Sequence, residues 1–142
     1  MVVAGDDGRL HLLPAAATDL CTPIQFSGKH PYRPYTLLVA ADGRHALTTS
    51  PFGGTSVWDI EACALLRHLP VGGIAFRMSH PFGRALLSTP DGVLKVFSLE
   101  NGETLASFQA DRQVINGVAD AELRQVVVCD QGGQVHFLRL ED

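Results

Sequence analysis

The sequence has 142 residues, of which 46% are hydrophobic and 18% are charged, and its net charge at neutral pH is −4. This apolar content excludes a disordered chain, and the length is sufficient for one domain with its own core. The basic residues are spread singly along the chain, so no basic stripe predicts binding to nucleic acid or to an anionic membrane.

Cys21, Cys63 and Cys129 lie far apart and form no CxxC pair, which argues against a structural zinc site or a redox motif. The odd number of cysteines favours a reducing compartment. The first residues, MVVAGDDGRL, do not have the order of a secretory leader, and the apolar runs are too short to span a membrane. We therefore expect a cytoplasmic protein.

One pattern occurs four times along the chain: a short apolar strand, a turn with glycine, and a second strand with alternating large side chains. The copies cover residues 2–13, 46–58, 85–97 and 126–138, about forty positions apart. Further strand-like runs lie between them at 23–27, 35–40, 64–69, 73–78, 104–108 and 113–118. Short strands at this spacing, separated by Gly, Asp and Pro turns, predict an all-β chain. A short helix over 61–69 is the alternative for that run.

The stretch from His30 to Asp59 resembles a WD repeat. His30 is followed by an Asp42-Gly43 turn and then by Trp58-Asp59, at the spacings usual for that repeat. The resemblance implies an all-β fold, a partial β-propeller of about 3.5 four-stranded antiparallel blades. A single propeller segment is then expected, with blade copies at about 1–28, 29–70, 71–110 and 111–142. The other copies replace Trp-Asp by Leu13-Pro14, Phe97-Ser98 and Leu138-Arg139.

The resemblance also implies a buried network in each blade, in which an acid in the turn between the second and third strands bonds the repeat's histidine. In the copy with His30 that turn carries Phe52, whereas Asp91 and Asp130 keep an acid in copies that lack the histidine. We therefore expect the network to be broken in every blade. The final segment, 126–142, also resembles the last blade of WD-repeat arrays in bacterial STAND or NACHT signalling ATPases. That second resemblance implies a sensor module.

The strand register gives three, four, four and three strands in the successive copies, so the first lacks its innermost strand and the last its outermost. Blades bury their apolar faces only against neighbours. An end face of roughly 500–800 Å² of apolar area left in water usually marks an interface. We expect the chain either to be part of a larger propeller or to associate with another copy of itself.

The loop KHPYRPY at 29–35 carries the residue types found most often as interface anchors. The predicted partner-binding residues are His30, Tyr32, Arg33, Tyr35 and, in a turn on the same rim, Phe52. The alternative is that the two prolines of this loop shape a turn whose tyrosines cover the edge of the core. His30 is most simply the structural histidine of its repeat.

The remaining polar residues predict no metal, cofactor or catalytic site. The six histidines do not occur at ligand spacing with a Cys or an acid, no GxSxG is present, and no glycine pair precedes Lys-Ser or Lys-Thr. The favoured function is a protein–protein scaffold or ligand-sensing module. Its partner would be a protein, either the missing blades or a second copy, and not nucleic acid or a membrane. The alternative is a propeller-based hydrolase or other enzyme with a central-channel site.

Overall fold

The computed structural model describes residues 1–13 and 24–141, and every regular element in these ranges is a β-strand. The strands are β1 (Val2–Ala4), β2 (Leu10–Leu12), β3 (Ile24–Gln25), β4 (Thr36–Val39), β5 (His45–Ser50), β6 (Gly54–Asp59), β7 (Ala64–Leu69), β8 (Ile74–Met78), β9 (Arg84–Ser88), β10 (Val93–Ser98), β11 (Thr104–Gln109), β12 (Val114–Ala119), β13 (Gln125–Asp130) and β14 (Val135–Arg139). Cys21 lies outside the described residues. No helix of the described residues has the length and apolar character needed to cross a membrane.

The strands form four antiparallel sheets, and within each sheet the strands that are consecutive in sequence pair with one another. Sheet 1 is β1–β2–β3, sheet 2 is β4 to β7, sheet 3 is β8 to β11, and sheet 4 is β12–β13–β14. The all-β prediction is confirmed, and so is the count of three, four, four and three strands. The alternative of a helix over 61–69 is wrong, because residues 64–69 pair along β6, with Leu69 opposite Thr55 and Ala64 opposite Asp59.

Alternation of side chains gives each sheet two packing faces. In sheet 2, Leu47 and Val57 point toward sheet 3, whereas Ala46 and Trp58 point toward sheet 1. Both central strands of this sheet, β5 and β6, are buried along nearly their whole length. Their Thr, Ser and Val residues suit a strand that is covered on both faces.

Three apolar clusters join the sheets in sequence order. Leu10 and Phe26 of the first repeat pack with Trp58 of sheet 2, and the Phe26 and Trp58 rings meet edge to face with centroids 6.0 Å apart. Val57 packs with Phe97 across sheets 2 and 3, and a third cluster joins sheets 3 and 4. The sheets therefore stack one upon the next, and each interior sheet is covered on both sides.

The turn that leads into β6 requires glycine at position 54. Gly54 has a φ of +75°, and a Cβ atom there would lie 2.5 Å from the carbonyl oxygen of Leu69. Glycine adopts positive φ without the steric cost that other residues meet. The tight turn between β5 and β6 places Phe52 at its tip, on the same rim as the loop before β4.

Candidate functional site

Four of the five predicted partner-binding residues form one exposed surface, which we call the rim patch: Tyr32, Arg33, Tyr35 and Phe52. Tyr32 and Tyr35 are each 58% exposed and Phe52 is 77% exposed. Tyr32 lies directly over Gly53, because a Cβ atom on that glycine would come within 2.8 Å of the Tyr32 Cβ. The loop before β4 and the turn after β5 therefore touch, and they bring Tyr32 beside Phe52.

The rim patch extends from sheet 2 onto sheet 1. The Nε atom of Arg33 lies 3.2 Å from Oδ1 of Asp6, and both side chains are exposed, so this pair contributes little to stability. The N–H of Tyr35 donates to the carbonyl of Thr49 at 2.8 Å, which fixes the end of the loop. Tyr35 also lines an open cavity of about 340 Å³ next to Val3. The end of the patch at Tyr35 is thus held through its backbone.

His30 is fully buried and lies beneath this surface, so it offers no atom to a partner at the surface. Its Nδ1 lies 2.7 Å from the Ser56 hydroxyl and 3.2 Å from that of Thr48. The indole N–H of Trp58 donates to the Thr48 hydroxyl at 2.9 Å. The turn between β5 and β6 has no acid to bond this histidine, and in sheet 2 the Thr48 hydroxyl connects His30 with Trp58 instead.

The other ring nitrogen of His30, Nε2, is buried and has no hydrogen-bond partner among the residues that the structure describes. A Cβ atom at Gly53 would lie 3.0 Å from this nitrogen, so glycine stands where a turn acid would have to approach. Burial and the nearby charge of His68 lower the pKa of His30 to about 4. His30 is therefore neutral at pH 7, which reduces the cost of leaving Nε2 unpaired.

His68 shares the Ser56 hydroxyl with His30. Its Nδ1 lies 2.9 Å from Ser56 Oγ, and the two imidazole rings meet edge to face with centroids 5.7 Å apart. Burial lowers the pKa of His68 as well. Sequence reasoning missed His68, Ser56 and Thr48. The available signal was the facing pair Thr48 and Ser56, two hydroxyl residues directly opposite each other in the middle of the β5–β6 hairpin.

Sheet 4 lacks the repeat's histidine, but its turn acid makes a buried contact with another histidine. Asp130 is buried, and its Oδ2 lies 2.9 Å from Nε2 of His136. Its Oδ1 accepts the backbone N–H groups of Gly132 and Gln134. The hydrogen bond from His136 is the main cause that lowers the pKa of Asp130. The WD resemblance implies a histidine in the loop before the blade, whereas His136 belongs to β14 itself.

No protein-family model matches the sequence, and no curated protein matches it. Solved structures do match the fold. The crystal structure of the Cps50 (Swd1) β-propeller domain of Myceliophteria thermophila aligns with a TM-score of 0.69 over 77% of this chain. The chain is a partial β-propeller. The crystal structure of the computationally designed Ika4 protein aligns with a TM-score of 0.74 over 99% of this chain and 84% of that one.

These likenesses establish the fold alone, since the identities are 12% to the Swd1 domain and 16% to Ika4. The partial propeller spans about a third of the Swd1 chain, because the aligned region covers 35% of it. Among residues 1–13 and 24–141, no group of three or more His, Cys, Asp or Glu side chains is placed to hold a metal ion.

Proposed function

We propose that this partial propeller is a protein-binding scaffold and that the rim patch contacts its partner. The observation that carries the proposal is the exposure of three aromatic rings, Tyr32, Tyr35 and Phe52, on adjoining loops. Tyrosine is enriched among the residues that dominate binding energy, and aromatic rings bury large apolar areas on binding. The net charge of −4 favours a protein partner over nucleic acid or an anionic membrane.

The backbone of the rim patch is held before a partner arrives. Tyr32 rests on Gly53, and the Tyr35 N–H is bonded to the carbonyl of Thr49. A surface whose loops are already fixed loses less conformational entropy on binding than a flexible one. This arrangement supports recognition of a folded protein surface or peptide by the aromatic rings, with the Arg33 guanidinium as a polar contact at the edge.

The proposal assigns no catalytic role to the contact between Ser56 and His30. Both side chains are fully buried, so no substrate reaches the hydroxyl oxygen. Propellers host both enzymes and binding modules, so the fold does not decide between catalysis and binding. The residues of the site have to decide it. On the resemblance of residues 126–142 alone, we further propose that the scaffold works as a sensor module in cytoplasmic signalling.

A photo-crosslinking experiment tests the rim patch. A photoreactive phenylalanine analogue is placed at Phe52 and, as a control, at Leu66, an exposed apolar residue of β7 in the same sheet. A partner that crosslinks from position 52 and not from position 66 is then purified. We expect the Tyr32→Ala and Phe52→Ala variants each to weaken its affinity by roughly tenfold or more, the effect of losing an anchor residue.

The Leu66→Ala variant should bind this partner as well as the unaltered chain does. Equal binding by the Tyr32→Ala/Phe52→Ala double variant would refute the rim patch as the contact surface. An equal loss in the Leu66→Ala variant would also refute it, since the effect would then not depend on the rim.

A further inference from the structure

The repeat register shows that sheet 4 has a packing face without a neighbour. The four hairpins end at residues 13, 58, 97 and 138. The residue just before each end is therefore also equivalent, which aligns Phe137 with Leu12, Val57 and Val96. Each of those three residues packs against the next sheet in the stack. Phe137 is 79% exposed, and Val127, its partner across the β13–β14 pair, lies on the same face. The face is thus built like the interior ones but meets no other sheet of residues 1–13 and 24–141.

The neighbouring strand continues this apolar face. Val118 of β12 lies opposite Val127, so Val118, Val127 and Phe137 form one row across all three strands. Val135, also exposed, belongs to the same face one row away, opposite Cys129. We call this set of residues the sheet 4 face. Its centre carries no charged side chain, which is the composition of an interface core.

At the opposite end of the stack, sheet 1 has a face that corresponds to the one each later sheet packs against its predecessor, and no other sheet in the described part of the chain covers it. Trp58, Phe97 and Leu138 each pack against the preceding sheet, and their equivalent in the first repeat is Leu13. Leu13 is paired with Met1 by two backbone hydrogen bonds of 2.8 Å, and Met1 is 70% exposed. Val3 is exposed on the same face, because its neighbours Val2 and Ala4 point toward sheet 2. We call Met1, Val3 and Leu13 the sheet 1 face.

We propose that two copies of this chain join head to tail, with the sheet 4 face of each copy packed on the sheet 1 face of the other. The junction would repeat the contact that already occurs between sheets 1 and 2, 2 and 3, and 3 and 4. An interface between two different faces closes into a ring or continues as a filament. Two copies supply eight sheets, which lies within the range of about four to eight blades in which propellers close.

The area involved suits a stable pair. If each of the four end faces contributes roughly 500 Å², the two junctions together bury about 2,000 Å², the upper end of the standard range for specific interfaces. A face-to-face pair through sheet 4 alone would cover only half of this area and would leave both sheet 1 faces in water. The head-to-tail arrangement covers all four faces.

The inference does not depend on the rim patch, because no residue of the sheet 4 face or of the sheet 1 face belongs to the rim patch. Sedimentation velocity over a range of protein concentrations tests it, with a particle of twice the chain mass of 15.2 kDa as the expected result. We expect Phe137→Asp to raise the dissociation constant of the dimer roughly thirtyfold or more. Phe52→Asp is the matched control, since Phe52 is 77% exposed and lies on the rim. It should leave the dimer intact.

A mixing experiment distinguishes head-to-tail from face-to-face association. Val3→Asp should also dissociate the dimer, although Val3 lies at the far end of the stack from Phe137. Mixing the Val3→Asp and Phe137→Asp chains restores one unaltered junction, so a one-to-one complex should form, detectable by native mass spectrometry. Thermal melts of each variant serve to check that the single chain still folds.

Three outcomes would overturn the proposal: an unaltered chain that stays monomeric, a Val3→Asp chain that dimerises normally, and a mixture that gives no complex. The second outcome would point to face-to-face pairing through sheet 4. A wild-type chain that is monomeric alone but binds a separate propeller fragment would assign the end faces to further blades instead of a second copy.

Discussion

Acidification should weaken the fold through His30 before most carboxyl groups titrate. The pKa of His30 falls from 6.5 to about 4 on folding, because of burial and the charge of His68. Between these values the unfolded chain binds the proton and the folded chain does not. The stability that neutral His30 contributes is therefore complete above pH 6.5 and declines as the pH falls toward 4. A pKa shift of this size corresponds to a loss of about 2–3 kcal/mol in the free energy of unfolding, after allowance for the screened contribution of the exposed His68.

The assay is urea unfolding at pH 7, 6, 5 and 4, compared between the unaltered chain and the His30→Asn variant. The asparagine amide can approach the hydroxyls of Ser56 and Thr48 from the position of Nδ1, but it does not titrate and it has no counterpart of the unpaired Nε2. We expect the free energy of unfolding of the variant to fall much less over this range. His80→Asn is the control, since His80 is exposed in the turn between β8 and β9, away from this network and from both end sheets.

The pH dependence of the free energy of unfolding that remains in the His30→Asn variant reports on His68, whose pKa is also lowered by burial. A double variant that adds His68→Asn should flatten the profile further between pH 6.5 and 5. If the His30→Asn variant keeps the full decline of the unaltered chain, His30 is not the group that titrates, and the assignment of a buried neutral imidazole is wrong.

Three further predictions follow from single contacts. Trp58→Phe should lower the free energy of unfolding by about 1–2 kcal/mol, because the indole N–H no longer donates to Thr48. In urea titrations, the loss in the Trp58→Phe/Thr48→Val double variant should be smaller than the sum of the two single losses, since both changes remove this hydrogen bond. Gly54→Ala should lower the thermal midpoint more than Gly43→Ala. Both residues have positive φ, but only position 54 also places the new Cβ against a carbonyl oxygen, so equal midpoints would refute the steric argument. Asp130→Ala should speed amide hydrogen exchange in β14 while leaving β5 protected, since the lost contacts to Gly132, Gln134 and His136 all lie in sheet 4. Faster exchange in β5 as well would mean that the sheets do not open independently.

The repeat could be predicted because strand alternation and turn chemistry are local. Each hairpin has its own glycine or Asp-Gly turn and its own alternating strand, so the register of sheets 2 and 3 could be obtained from residues within about fifteen positions of one another. The run at 61–69 was ambiguous for the same reason. Its apolar residues fit either a helix or a strand, and only pairing along β6 selects the strand.

The site was harder to predict from the sequence, because its contacts join residues that are distant along the chain. His30 meets Ser56 and Thr48 only when the loop before β4 folds over the β5–β6 hairpin, and His68 arrives from a third strand. No local pattern marks which nitrogen of His30 is paired. The exposure of Tyr32 and Phe52 could be expected from residue type, but their proximity depends on Gly53, where the absence of a side chain lets the Tyr32 ring approach. The same glycine leaves His30 Nε2 without an acid, so one small residue both brings the aromatic surface together and leaves the network beneath it incomplete.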